Sequence, residues 1–170
     1  MWLKKTNMKD KISEDRVLML HPKIRDEVKN LIELAETQID QNLAIRVVQG
    51  LRTIKEQDDL YAIGRTIGGK IVTNAKGGQS IHNYGLAFDF ILLFKDKDGI
   101  YQYDDKKSWL VGPNHKIVQQ IFKNNGWTWG GDWRTIVDYP HFEKTFQYSW
   151  KDLFARYNQH LLDANGYVKL

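Results

Sequence analysis

A chain of 170 residues, 42% hydrophobic and 27% charged with only three prolines, is long enough to bury a core and has neither a disordered nor a fibrous composition. The net charge of +4 comes without a long Lys/Arg run, which argues against a nucleic-acid stripe and leaves room for an anionic envelope polymer as partner. No cysteine is present, so disulfides and thiolate metal sites are excluded, and no apolar stretch is long enough to span a bilayer.

The first residues are basic but have no apolar run behind them, so they are not read as a secretory signal. Ile12 and Val17 to Leu20 form a short lead-in. Pro22 then opens a helix in which Ile24, Val28, Leu31, Ile32, Ala35 and Ile39 keep helical spacing. Leu43 to Val48 reads as a buried strand. Glu56 to Ile67 reads as a helix closed by Gly68-Gly69, and Ile71 to Thr73 as a short strand. The glycine-rich segment from Asn74 to Gln79 is a loop that delivers the chain to Ser80.

From Ser80 to Asp89 the chain carries His82 and Asp89 on either side of Gly85, ahead of the apolar run Phe90 to Phe94. That run is the length of a buried strand. A carboxylate beside it is costly unless something pairs with it, and a metal ion is one such partner. Lys95 to Gly99 then makes a solvated hairpin turn, and Ile100 to Tyr103 returns as a partner strand. His115 to Asn124 is a helix. Trp127 to Trp133 is an aromatic-glycine loop, His141 to Phe146 a strand, and Trp150 to Leu162 a C-terminal helix.

His141, in Asp138-Tyr139-Pro140-His141-Phe142-Glu143, supplies the second half of a site. His82, Asp89 and His141 make an open three-ligand zinc centre with a fourth position for water, the arrangement for hydrolysing an amide. Asp138 lies within reach as general base if Pro140 rigidifies the turn. Arg52, after the strand that ends at Gly50, is the candidate for orienting a substrate carboxylate or carbonyl. On residue type alone a histidine is more often a core or surface residue than a ligand. His21, His115 and His160 have no His or acidic neighbour in a suggestive frame and are read as structural. Trp127, Trp129 and Trp133 are read either as a stacking surface for a sugar or peptide or as partly buried core aromatics. Asp132 is either a turn residue or a substrate contact. Glu143 is read as a surface acid of its strand, with a place behind the zinc ligands as the alternative.

The pattern Ser80-x-His82-x-x-Gly85-x-Ala87-x-Asp89, followed by Asp138-x-Pro140-His141-Phe142-Glu143, resembles the VanY/D-alanyl-D-alanine metallopeptidase family. Within it, the chain is most similar to the L-alanyl-D-glutamate endopeptidases found as phage endolysins and bacterial wall hydrolases. Gln49 to Thr53, Gln57, Leu60-Tyr61, Gly64 to Thr66, Val72 to Ala75 and Gly130 to Trp133 agree with it, so the likeness runs from about residue 22 to 146.

The resemblance implies an α+β fold of the hedgehog/D-Ala-D-Ala peptidase type, a small antiparallel sheet flanked by helices. It implies one zinc ion on His82, Asp89 and His141, Asp138 as catalytic acid/base, and Arg52 with Ser80 as substrate-binding residues. Trp129, Asp132 and Trp133 are candidates for the substrate groove. Many family members carry Glu where this chain has Asp138, and Asp occurs in the endolysin branch. The expected substrate is the peptidoglycan stem peptide, cut at L-Ala–D-Glu, by a monomer with no nucleic-acid partner. The alternatives are a D-alanyl-D-alanine carboxypeptidase of the same family and a non-catalytic zinc-containing wall-binding domain. Residues 1–170 are expected to form one peptidase domain with a C-terminal helix at about 149–165 and no separate wall-binding module. Such a protein is made in the cytoplasm and reaches the wall by holin-assisted release or lysis.

Overall fold

Helical spacing in residues 22–38 is realised as a buried stripe. The computed structural model describes residues 7–170. The first six residues, where the basic start begins, lie outside them. Helix α1 (Lys11–Leu18) is followed by α2 (Pro22–Gln38), which buries Ile24, Val28, Leu31, Ile32 and Ala35. Pro22 opens α2, where a missing N–H costs nothing, and the His21 side chain accepts from the Lys23 amide. Helix α4 (Pro113–Asn124) turns Val118, Ile121 and Phe122 inward.

The sheet is antiparallel, in the order β1 (Leu43–Gln49), β2 (Ala87–Lys95), β5 (His141–Glu143), β4 (Thr128–Trp129). Strand β3 (Tyr101–Gln102) returns from the hairpin turn to pair with Phe94 and Lys95. Alternation along β2 sends Phe88, Phe90 and Leu92 into the main core, while Ile91 and Leu93 pack with Ala44 on the other face. Phe88, Phe122, Trp127 and Phe142 form one aromatic cluster, with ring centroids 4.9–5.7 Å apart. Burying each such ring stabilises the fold by about 1.5–3 kcal/mol. The free edge of β1 is covered by α1, whose Ser13 hydroxyl donates to the Ile45 carbonyl and accepts from the Val47 amide.

Several elements differ from the sequence expectation. Helix α3 (Ile54–Ala62) stops before Gly64, which sits at φ +76°, where an added Cβ would come within 2.5 Å of the Ile71 amide. Ile71 to Thr73 is not a strand. Side chains take up the carbonyls there, Arg65 at Thr73 (3.0 Å) and Gln57 at Ala75 (2.8 Å). Strand β5 ends at Glu143, and Phe146 and Gln147 adopt positive φ, which breaks any ladder. Helix α5 (Trp150–Asn158) is shorter than expected. Beyond it the chain folds back through a Leu162–Val168 bridge, and the His21 Nε2–H donates to the Val168 carbonyl at 2.9 Å. Among the described residues no helix is long and apolar enough to cross a membrane.

Candidate metal centre and its cleft

Sheet register builds the site. In an antiparallel pair, residues directly opposite one another project from the same face, and Asp89 of β2 stands opposite His141 of β5. On the other side Asp89 stands opposite Gln49, where the β1 register shifts after Val47. That irregularity turns the Gly50 carbonyl towards the third contributor, His82, on a one-turn 3-10 helix (Ile81–Tyr84). Gly85 ends this turn at φ +66°, and an added Cβ there would lie 2.9 Å from the His21 amide, so only glycine fits.

The three donors meet. His141 Nδ1 is 3.0 Å from Asp89 Oδ1, His82 Nε2 is 3.3 Å from Asp89 Oδ1, and His82 Nε2 is 3.2 Å from His141 Nδ1. A tetrahedral zinc with bonds of about 2.0–2.1 Å holds its ligand atoms roughly 3.3–3.4 Å apart, so these edges fit one face of such a tetrahedron. Two imidazoles and a carboxylate also match the ion chemically. Each imidazole is steered from behind. His82 Nδ1–H donates to the Gly50 carbonyl at 2.8 Å, and His141 Nε2–H donates to Glu143 Oε2 at 3.1 Å. Glu143 thus belongs to the site and is not the plain surface acid expected. Strand alternation puts residues 141 and 143 on one face, and that was the signal available for it.

Charges follow from this packing. Burial pushes the Asp89 carboxyl up, but His82 and His141 outweigh it and hold Asp89 well below the usual carboxylate range. Burial works against a charged His141, yet the bonds to Asp89 and Glu143 raise it to about 9. A divalent cation displaces that proton when it binds. Asp138 is half-buried beside the donors. Burial first, then the Asp89 charge, raises its pKa, against the pull of His141, His82 and Arg52. Its position is set by Gly130, whose carbonyl accepts from the Asp138 amide at 3.0 Å and where an added Cβ would lie 2.5 Å from the Asp138 carbonyl.

These residues open onto a cleft of about 970 Å³ lined by Arg52, Ser80, His82, Asp89, Trp133 and Asp138 among others. Arg52 is tied to the ligand turn, since its amide donates to the His82 carbonyl at 3.0 Å. Its Nη1 donates to Gln57 Oε1 at 2.8 Å, while its buried Nε has no partner among the described residues. Trp133 tilts against His141, with ring centroids 5.0 Å apart. Of the other two groove candidates, Trp129 donates from Nε1 to the Tyr139 carbonyl and packs on the core, and Asp132 pairs with Lys123 at 2.6 Å. Neither lines the cleft, and Trp127 is buried in the aromatic cluster. His21 and His115 are buried and His160 is exposed, and none of the three is in the donor cluster.

Comparison with known proteins places this centre. A family model described as D-alanyl-D-alanine carboxypeptidase matches residues 73–144, the stretch that holds the three donors and Asp138. Over 130 residues the chain is 42% identical to the peptidoglycan L-alanyl-D-glutamate endopeptidase CwlK of Bacillus subtilis (strain 168), covering 73% of this chain and 72% of that protein. The crystal structure of the Serratia marcescens L-Ala D-Glu endopeptidase ChiX shares the fold, with a TM-score of 0.50 and 21% identity, over 84% of this chain and 93% of that one. With a relative this similar over most of both chains, and with the donor set in place, the protein belongs to the VanY-like D-alanyl-D-alanine carboxypeptidase family of metallopeptidases.

Proposed function

We propose that the protein is a zinc-dependent peptidoglycan endopeptidase that hydrolyses the L-Ala–D-Glu bond of the stem peptide. The observation that carries this reading is the triangle of His82, Asp89 and His141 donors sharing one cleft with Asp138 and Arg52. The similarity to an L-alanyl-D-glutamate endopeptidase supports the choice of bond.

A zinc ion on the three donors supplies polarisation of the scissile carbonyl and acidification of the attacking water. The Asp138 carboxylate takes the proton of that water as its oxygen adds to the L-Ala carbonyl carbon. Asp138 then gives the proton to the D-Glu nitrogen as the C–N bond breaks. A pKa lifted by burial suits a group that must both accept and return a proton. Arg52, which lines the cleft, offers its guanidinium to the α-carboxylate of D-Glu, which is free because the stem continues through the side-chain carboxyl. Ser80 lines the same cleft.

The family description favours one second reading, removal of a terminal D-Ala by the same centre. The test is digestion of purified muropeptides by the zinc-loaded protein, followed by mass spectrometry. A new amino-terminal D-Glu is the expected product. Release of D-Ala alone selects the carboxypeptidase, and an intact stem peptide with zinc bound refutes both.

A further inference from the structure

Resting on the L-Ala–D-Glu reading, we propose that Trp133 is a saccharide subsite, so that the cleft takes the stem peptide with its muramoyl end over this indole and its D-Glu carboxylate on Arg52. Trp133 is the tryptophan set directly against a metal-site histidine. Trp109 and Trp129 spend their indole N–H groups on Tyr103 and Tyr139, Trp127 is buried, and Trp150, which also lines the cleft, makes no ring contact with a donor histidine among the described residues. Trp133 is half-buried, lines the cleft, and its N–H has no hydrogen-bond partner among the described residues. It offers an apolar face and a donor at the edge. A pyranose matches that combination with a face of C–H bonds and a rim of hydroxyl and acetamido groups.

Contacts link Arg52 and Trp133 to different members of the donor set. Arg52 is joined to the His82 turn, the His82 and His141 rings are 5.0 Å apart, and the His141 and Trp133 rings are again 5.0 Å apart. Arg52 thus adjoins one donor histidine and Trp133 the other. The chemistry of the stem has the same polarity. On the carboxyl side of the scissile bond, D-Glu carries a free carboxylate. On the amino side, a single alanine separates the bond from the lactyl ether of muramic acid. Alanine plus lactyl spans about two residue lengths, roughly 7 Å when extended. With the carboxylate on Arg52 at the His82 end, the proposal seats the sugar ring at the His141 end, on Trp133. The exposed Ile136 lines the same cleft.

The test compares two substrates on the zinc-loaded enzyme. One is a free peptide beginning L-Ala–D-Glu, and the other is the same peptide carried on N-acetylmuramic acid. Wild type is expected to favour the muramoyl peptide in kcat/KM by about tenfold or more, and Trp133→Ala to bring the ratio close to one. The ratio is the readout, because a disturbed His141 lowers both rates together and leaves it unchanged. A wild-type ratio near one, or a preference kept in Trp133→Ala, overturns the proposal. If neither peptide is cut, the proposed function fails on its own account. The Trp133 indole ¹H–¹⁵N resonance, assigned by its loss in Trp133→Phe, is then followed during titration with the muramoyl peptide. A saturable shift supports the subsite and an unmoved resonance refutes it.

Discussion

Replacing Glu143 with alanine is expected to weaken metal binding about 10- to 100-fold, even though Glu143 donates no atom to the donor triangle. Its Oε2 lies 3.1 Å from His141 Nε2, and the side chain is only 19% exposed, so bulk water competes weakly for that N–H. Losing the carboxylate frees the imidazole to rotate and makes Nδ1 a poorer donor. The expected range corresponds to about 1.4–2.8 kcal/mol. The lower half is favoured, because Asp89 still faces Nδ1 at 3.0 Å. Backbone pairing of Glu143 with Ala87 and Thr128 involves no side chain, so the sheet keeps its register. Glu143→Gln retains a carbonyl acceptor and is expected to stay within about threefold of wild type. The assay is competition for zinc against a chromophoric chelator. Equal affinity of wild type and Glu143→Ala would show that the carboxylate is a bystander and refute the reasoning.

Asp138→Asn is expected to lower kcat on muropeptides by about 10²- to 10⁴-fold, the usual worth of a positioned acid/base, with zinc content by metal analysis still near one ion per chain. Arg52→Lys removes the buried Nε and the bond to Gln57, and is expected to cost about 10- to 100-fold in kcat/KM on substrates with a free α-carboxylate. Restoration of that loss on an α-amidated substrate is the check. Gly130→Ala drives a Cβ towards the Asp138 carbonyl and is expected to cost about 1–3 kcal/mol, or about 2–12 °C in melting temperature. In chelator-treated protein, His141 has its folded pKa raised to about 9. Its contribution is therefore complete below about pH 6.5 and is lost as pH rises through about 9. Thermal melts of the metal-free protein should accordingly drop between about pH 7 and 9.5. The zinc-loaded protein should lack this drop, because the ion competes with that proton.

The donor residues were legible because each sits where sequence grammar is strong. Gly85 and Pro140 mark turns, and an acid at the mouth of an apolar strand asks for a partner. The helices with wide apolar stripes, α2 and α4, were legible for the same kind of reason. What escaped was decided by contacts from far along the chain. Residues 63–67 lost their helix because Gly64 must turn against Ile71. In place of a strand at Val72, the Thr73 carbonyl accepts from Arg65 and the following Ala75 carbonyl accepts from Gln57. Trp127, Trp129 and Trp133 share one short loop and look alike in sequence. Only the closing of β4 on β5 sends the first inward, ties the second to Tyr139 and leaves the third in the cleft.

The centre and the fold are one device. Asp89 faces the cleft only because Phe88 and Phe90 on either side of it face the aromatic core, and a slip of one residue would exchange them. The same register fixes His141 opposite Asp89 and brings the Gly50 carbonyl to His82. The His82 carbonyl in turn accepts from the Arg52 amide, so the residue proposed to orient substrate is hydrogen-bonded to the backbone of a candidate metal ligand. Placement errors of about 1 Å cost orders of magnitude in rate. Coupling these parts through backbone bonds, with few flexible side chains between them, keeps such errors small. Core packing in β2 and β5 is therefore under two constraints at once, stability and the alignment of Arg52, Asp138 and the donors. Phe142 satisfies both, since its ring closes the aromatic cluster while its backbone follows directly on His141.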